Sequence, residues 1–245
     1  MIFDQSEFHI RCEWGEQGLS RLGPISDAIV IVDVLSFSTA VDIATSQRAV
    51  VYPYRWPYRW PYRWNDETAE AFAKSVGAEL ADKNNAHGYR LSPASLQRLP
   101  TGTRLVLPSP NGSHLSSLAG SKPTVAGCLR NCRAVAESLM HMGKHIAVIP
   151  AGERWEGGQL RPCLEDMAGA GAVISYLRGS LSPEAEMAVA VFENIRAKLM
   201  ESILGCVSGK EKAARGEQED VVLATELNAS SCVPILKDGA YHGEA

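Results

Sequence analysis

Six short apolar runs, most of them β-branched, restrict the folds open to this chain. They are AIVIVDV (28–34), AVVYP (49–53), RLVLP (104–108), PTVAG (123–127), HIAVIPA (145–151) and SCVPIL (231–236). Several are continuously apolar rather than alternating, which is how strands covered on both faces read. Helical patterns lie between them, at Thr39 to Ser46, Asp66 to Val76, Asn131 to Met142, Cys163 to Arg178 and Pro183 to Leu204. Ser182 is placed to cap the last of these, with Pro183 at its first helical position. Strands alternating with helices predict a layered α/β/α protein with a mostly parallel sheet, open to a division into two lobes around a cleft. The charged stretch KEKAARGEQE (210–219) reads as a helix and turn on a solvated face.

Composition removes several classes of function. A chain of 245 residues suffices for one large domain or two small ones sharing a cleft. The expected organisation is one α/β unit over 1–245, with any subdomain boundary near 120–150. A net charge of -4 gives no general attraction to nucleic acid or anionic membrane, so neither is an expected partner. The run AIVIVDVL is far too short to cross a bilayer. MIFDQSEFHIRCEW has acids where a signal peptide needs a basic and then an apolar region. Six cysteines without paired spacing suit buried, reduced thiols and a cytoplasmic protein. Cys128 and Cys132 lie one helical turn apart, but no second pair completes a zinc site.

In open α/β sheets ligands bind where strands end and loops lead into helices. Four such loops are polar here. VDVLSFST closes a strand with Asp33 and carries Ser36, Ser38 and Thr39 at a helix start. LPSPNGSHL turns into a helix through Asn111, Gly112 and Ser113. GCLRNCRAV places Arg130 and Asn131 before another helix, and IPAGERWEGGQLRPCLEDMAGAG ends in Glu165 and Asp166. Ser, Thr, Asn and Asp at such positions are commonly helix caps. Four of them able to converge on one sheet edge predict a single anion site.

Familiar nucleotide and metal motifs fail. GCVSGKEK has the wrong glycine spacing for a P-loop, with Glu211 where a magnesium-binding hydroxyl belongs. AGAGAVI lacks the third glycine of a dinucleotide fingerprint and sits inside a helical pattern, so close helix packing accounts for it. HMGKH lacks the glutamate of a zinc protease.

The order of motifs does resemble one family. VDVL…ST, Ser92–Pro93, PNGS, RN, AGE…EDMAGAG and VPILKDG, spanning roughly Ile29 to Gly239, are similar to the 2-phosphosulfolactate phosphatase (ComB-like) family. The resemblance implies a magnesium-dependent hydrolase of 2-hydroxy-acid phosphate esters, of the kind associated with coenzyme M biosynthesis. It also implies Mg2+ held by Asp33, Glu165 and Asp166, since this ion prefers carboxylate oxygens. Amides near Ser38, Thr39 and Asn111 would cradle the phosphate, Arg130 would offset developing charge and Asn131 would orient substrate. Asp33 and Ser38 both stand as nucleophile candidates, with direct attack by water left open. The chain departs from the family pattern in three places: Ser36 replaces an arginine, SPNGS replaces TTNGT, and Asn228 replaces an aspartate. Ser36 leads to the expectation that esters lacking a sulfonate are accepted at least as well as phosphosulfolactate. A non-catalytic anion-binding paralogue is the alternative, and a homodimer is left open.

The tetrapeptide PYRW occurs three times in succession over 53–64. One copy would satisfy the family spacing from strand to helix, so the other two read as an expansion of a surface loop. Such loops lengthen at little entropic cost.

Overall fold

The computed structural model describes residues 3–55, 67–82 and 88–244. In chain order the elements begin β1 (Ile10–Cys12), α1 (Gly15–Leu22), β2 (Ala28–Val32), α2 (Phe37–Ser46) and β3 (Val50–Arg55). They continue α3 (Glu67–Ser75), β4 (Glu79–Leu80), β5 (Arg104–Ser109), α4 (Gly112–Leu118), β6 (Thr124–Gly127), α5 (Cys132–Met142) and β7 (Ile146–Pro150). A small hairpin, β8 (Glu153–Arg154) and β9 (Leu160–Arg161), leads into α6 (Leu164–Ile174). The remainder is α7 (Pro183–Ile195), α8 (Leu199–Gly205), α9 (Val207–Ala214), α10 (Gln218–Ala224), β10 (Val233–Lys237) and β11 (Ala240–Glu244).

One sheet runs in the order β1-β7-β2-β6-β10-β11-β3-β5-β4. It holds two parallel blocks, β1-β7-β2-β6 and β3-β5-β4, joined by the antiparallel β10–β11 hairpin. That hairpin meets each block through one residue pair, Ile235 with Val125 and Tyr241 with Val51. The layered, mostly parallel α/β/α class expected from the sequence is the class observed.

Period-two alternation explains the layers. Along β2, Ala28, Val30 and Val32 enter a core shared with residues of α5, α6 and α7, while Ile29 and Ile31 enter another with Leu19, Leu22 and Leu115 of α1 and α4. Both faces of the strand are therefore buried, and its sequence is apolar throughout. Glycine in AGAGAVI is required by packing: a Cβ on Gly171 would lie 2.0 Å from the Ala188 carbonyl oxygen of α7.

Three sequence expectations change. The helix expected over Pro183 to Leu204 breaks at a 3-10 turn, Arg196–Lys198. Its buried stripe of Ala188, Phe192, Ile195, Leu199 and Ile203 keeps a three-or-four-residue spacing across the break, so periodicity alone does not reveal it. KEKAARGEQE is not simply a solvated face, because Lys212 is buried against Asp220 at 2.9 Å and Glu217 at 3.0 Å. The first PYRW copy is partly strand: Pro53 to Arg55 pair with Leu107 to Ser109 of β5. The amide of Val50 donates to Thr103 of the β5 side, so by alternation residue 53 presents its nitrogen toward β11. There the ladder consists of the single Val51–Tyr241 pair, and a proline forfeits no bond. Residues 56–66, including the other PYRW copies and Asp66 at the start of the expected helix, lie outside the described residues.

No described helix is long and apolar enough to cross a membrane. All six cysteines are free, five of them buried.

Candidate active site

Asp33 directly follows β2 and is buried at the start of α2. One carboxylate oxygen accepts the Phe37 amide at 3.1 Å; the other accepts the Gly112 amide at 2.8 Å, with Ser109 Oγ at 3.5 Å. The side chain thus ties the loop after β2 to the loop after β5. Residue 112 has to be glycine for this approach, since a Cβ would meet the Phe37 ring at 2.2 Å. Burial raises the Asp33 pKa to about 6 against the lowering effect of those amides, and the charge of Glu165 adds to the rise.

Glu153 opens the β8–β9 hairpin after β7, the parallel neighbour of β2, and is half-buried. Asn111 Nδ2 donates to its Oε1. Burial, and then the nearby charge of Asp33, raise the Glu153 pKa to about 7. A carboxyl near neutrality beside a second buried carboxyl is suited to proton transfer at physiological pH.

Both residues line a cavity of about 670 Å³, with Ser36, Ser109 and Asn111 at its buried end. The Ser36 hydroxyl is buried there without a hydrogen-bond partner. A second set of lining residues comes from far along the chain: Arg90 and Ser92, and Glu211, Lys212, Arg215 and Glu217 of α9 and the turn after it. Ser92 donates to Asp220 Oδ1 at 2.6 Å and Lys212 reaches Asp220 Oδ2, so one buried carboxylate fixes both segments. Trp155, 59% exposed, and Glu156 complete the mouth.

The structure therefore brings Asp33, Ser36 and Asn111 together at the cavity and directs the other expected residues elsewhere. Ser38 donates to the Ile31 carbonyl and accepts the Asp33 amide, wholly buried, so its hydroxyl holds the loop and does not line the cavity. Thr39 donates to the Val34 carbonyl, and Ser113 to the Leu107 carbonyl. Gly112 contributes its amide to Asp33 rather than to the cavity. Arg130 turns to Asp42 at 3.0 Å, to the Leu223 carbonyl and to Glu226. Asn131 is consumed by the Cys128 amide and the Ala126 and Cys232 carbonyls. Neither residue lines the cavity, because the loop after β6 is pinned to α2, α10 and β10.

The acidic pair behaves likewise. Asp166 accepts the Val34 amide at 2.7 Å and the Gly152 amide at 2.8 Å, which staples the loops after β2 and β7. Burial and the charges of Asp33 and Glu165 push its pKa well up. Glu165 is buried and accepts Cys206 Sγ at 3.3 Å. Of the three expected metal-binding acids only Asp33 lines the cavity; Glu165 and Asp166 support it from behind the loops. Asn228, where the family pattern has an aspartate, also has a local task. Its Oδ1 accepts the Arg133 amide at the start of α5 and its Nδ2 donates to Tyr176, at a φ of 54° that asparagine tolerates.

Among the described residues no three His, Cys, Asp or Glu side chains form a ready-made metal cage. Mg2+ commonly takes one or two carboxylates, several waters and substrate phosphate oxygens. Asp33 and Glu153 fit that demand: they are hard oxygen donors facing one cavity, and each is pushed toward protonation by burial and neighbouring negative charge.

The molecule is thus a layered α/β/α protein with carboxylates beyond the ends of adjacent parallel strands at one cavity, and comparison with known proteins identifies the family. The sequence model described as 2-phosphosulpholactate phosphatase matches residues 18–239, and the chain belongs to that family. A probable 2-phosphosulfolactate phosphatase of Carboxydothermus hydrogenoformans is 29% identical over 219 residues, covering 84% of this chain and 85% of that protein. The 2-phosphosulfolactate phosphatase of Methanothermobacter thermautotrophicus is 29% identical over 138 residues, covering 56% of this chain and 58% of its own.

Proposed function

We propose that this chain is a Mg2+-dependent phosphatase acting on the phosphate ester of a small 2-hydroxy acid, 2-phosphosulfolactate or a close relative. The observation that carries the reading is the pair Asp33 and Glu153: two repelling carboxyls at the ends of adjacent parallel strands, facing one cavity. Family membership and the names of the relatives support the same chemistry.

Asp33 and Glu153 would hold the ion. A bound divalent cation offsets phosphoryl charge and lowers the pKa of water it binds. Asp33, locked by two amides, keeps one orientation throughout and is the one nucleophile candidate from the sequence that reaches the cavity. Glu153, held by Asn111 at the cavity, would orient a water beside the ion. The mouth at Trp155 leaves the leaving group a path to solvent.

The test is phosphate release from a panel of 2-hydroxy-acid phosphates, with Mg2+ and then with EDTA. Release that needs Mg2+ is the expected result. Full activity in EDTA removes the metal from the reading, and tight ester binding without release at any condition points to the non-catalytic paralogue instead.

A further inference from the structure

Three loops build the acidic end of the cavity, and each pair of them is joined through a side chain. Asp33 ties the loop after β2 to the loop after β5 by accepting the Gly112 amide. Asn111 ties the loop after β5 to the hairpin after β7 by donating to Glu153. Asp166 of α6 makes the third joint, between the loops after β2 and β7. The first two joints use the very carboxylates that would hold an ion, so an ion there competes for them. Asp166 does not line the cavity and is buried, with one oxygen given to each amide. Those amides belong to Val34, the residue after Asp33, at 2.7 Å, and to Gly152, the residue before Glu153, at 2.8 Å. The backbone is shaped to deliver the second of them. Gly152 holds a left-handed φ of 68°, and a Cβ there would lie 2.7 Å from Leu160 Cδ1, so the turn calls for glycine. The carboxylate also has a fixed base, since α6 is buried without a break from Glu165 to Ile174.

We infer that Asp166 is a positioning residue that sets the separation of Asp33 and Glu153, and with it the size of cation the pair accepts. This rests on the reading of those two acids as the holders of a divalent ion. Two amides from two loops need two acceptor oxygens on one rigid group, which an ionised carboxylate supplies. Asparagine offers a single oxygen and turns donors toward the other amide. With one amide released, one loop shifts against the other and carries its acid along. Mg2+ demands near-ideal octahedral geometry with bonds of about 2.0–2.1 Å, whereas Ca2+ accepts longer and more variable ones. A fixed separation therefore favours Mg2+, and a loosened one gives that preference up.

The experiment titrates Mg2+ and, separately, Ca2+ into the full chain by calorimetry, after EDTA treatment and without ester. Circular dichroism gives the folded fraction of each variant. Asp166→Asn is expected to weaken Mg2+ binding per folded molecule about 10- to 100-fold, and Ca2+ binding by a smaller factor. Asp42→Asn, a buried aspartate away from the cavity, is the control: it lowers stability and leaves the ratio of the two affinities unchanged. If the asparagine variant does not fold, Asp166→Glu carries the same readout, because it keeps two oxygens but is longer by a methylene. An unchanged ratio in a folded variant at 166, or an equal change in Asp42→Asn, overturns the proposal. So does a chain that folds with neither replacement at 166, which assigns Asp166 to the fold alone. Phosphate release is decided separately. A chain that binds the ions as expected and hydrolyses no ester keeps the positioning residue and loses the phosphatase reading. A chain that hydrolyses esters in EDTA and binds neither ion does the reverse.

Discussion

Two buried aspartates on the segment from β2 to α2 meet opposite surroundings. Asp42, wholly buried within α2, faces Arg130 Nε at 3.0 Å and accepts Ser230 Oγ at 2.6 Å. Asp33, buried at the strand end, is met by two backbone amides and a hydroxyl, and the charges around it are carboxylates. Breaking a buried ion pair costs about 3–5 kcal/mol because it strands the partner charge. Removing a carboxylate from a cluster of carboxylates removes repulsion. The first aspartate is neutralised within the fold, whereas the second joins two loops through backbone amides and also faces the cavity among other carboxylates.

Asparagine at each position separates the two most sharply. Asp33→Asn is expected to reduce phosphate release at least ~1000-fold, equivalent to about 4 kcal/mol of barrier, while the protein stays folded, since relief of carboxylate repulsion offsets the one backbone amide that loses its acceptor. Asp42→Asn is expected to lower stability by about 3 kcal/mol, while activity per folded molecule stays within a few-fold. Denaturant titration and single-turnover assays on both variants check this. A destabilised Asp33→Asn protein with normal turnover would invert the assignment.

Protonation gives the next largest effect. Glu153 and Asp33 have folded pKa values of about 7 and about 6, above the ordinary values of 4.5 and 3.8. Where the folded state holds protons more tightly than the unfolded one, stability is fully present below the ordinary value and is lost as pH rises through the folded one. The metal-free protein is therefore expected to lose on the order of 2–3 kcal/mol between about pH 4.5 and 7.5. Melting curves in EDTA across that range measure it. Glu153→Gln flattens the slope and Mg2+ reduces it; an unchanged slope in the variant means the groups titrate elsewhere.

The smallest effect is expected from deleting residues 57–64. Tyr54 Oη and Thr68 Oγ1 are hydrogen-bonded at 2.7 Å, and Tyr54 packs on Phe72 with ring centroids 5.4 Å apart. The end of β3 and the start of α3 already meet, so a short connection suffices. Melting temperature is expected to change by no more than a few degrees and oligomer mass not at all; loss of a dimer on deletion would show that the repeat is an interface.

How much of this was legible follows from what each signal depends on. The strands from β2 to β10 that lie in the sheet's interior announced themselves through runs buried on both faces, and Asp33 through its place at the end of one. β1, α1 and β11 were not legible, being short or, as in GEQGLSRL, weakly apolar. Glu153 was passed over inside a long polar loop. Its signal lay in register: Val32 pairs with Pro150, so the residues just beyond both strands emerge on the same edge. Residue type named Glu165 and Asp166, but only the fold shows that Asp166 points its oxygens at the amides of Val34 and Gly152. Arg90 and Arg215 gave no local signal at all, because the buried carboxylate that places them stands at Asp220.

The β10–β11 hairpin sets the order in which this molecule can be finished. β6 and β3 are not neighbours; the two strands that come last in the sheet's chain order stand between them. Until Val233 to Glu244 have been made, β6 and β3 are both open edges, with unpaired amides and carbonyls of the kind that recruit other chains. Emerging from a ribosome, the chain has two incomplete sheets to keep apart for most of its synthesis. Its vulnerability to aggregation thus falls in the interval before the final dozen or so sheet residues arrive.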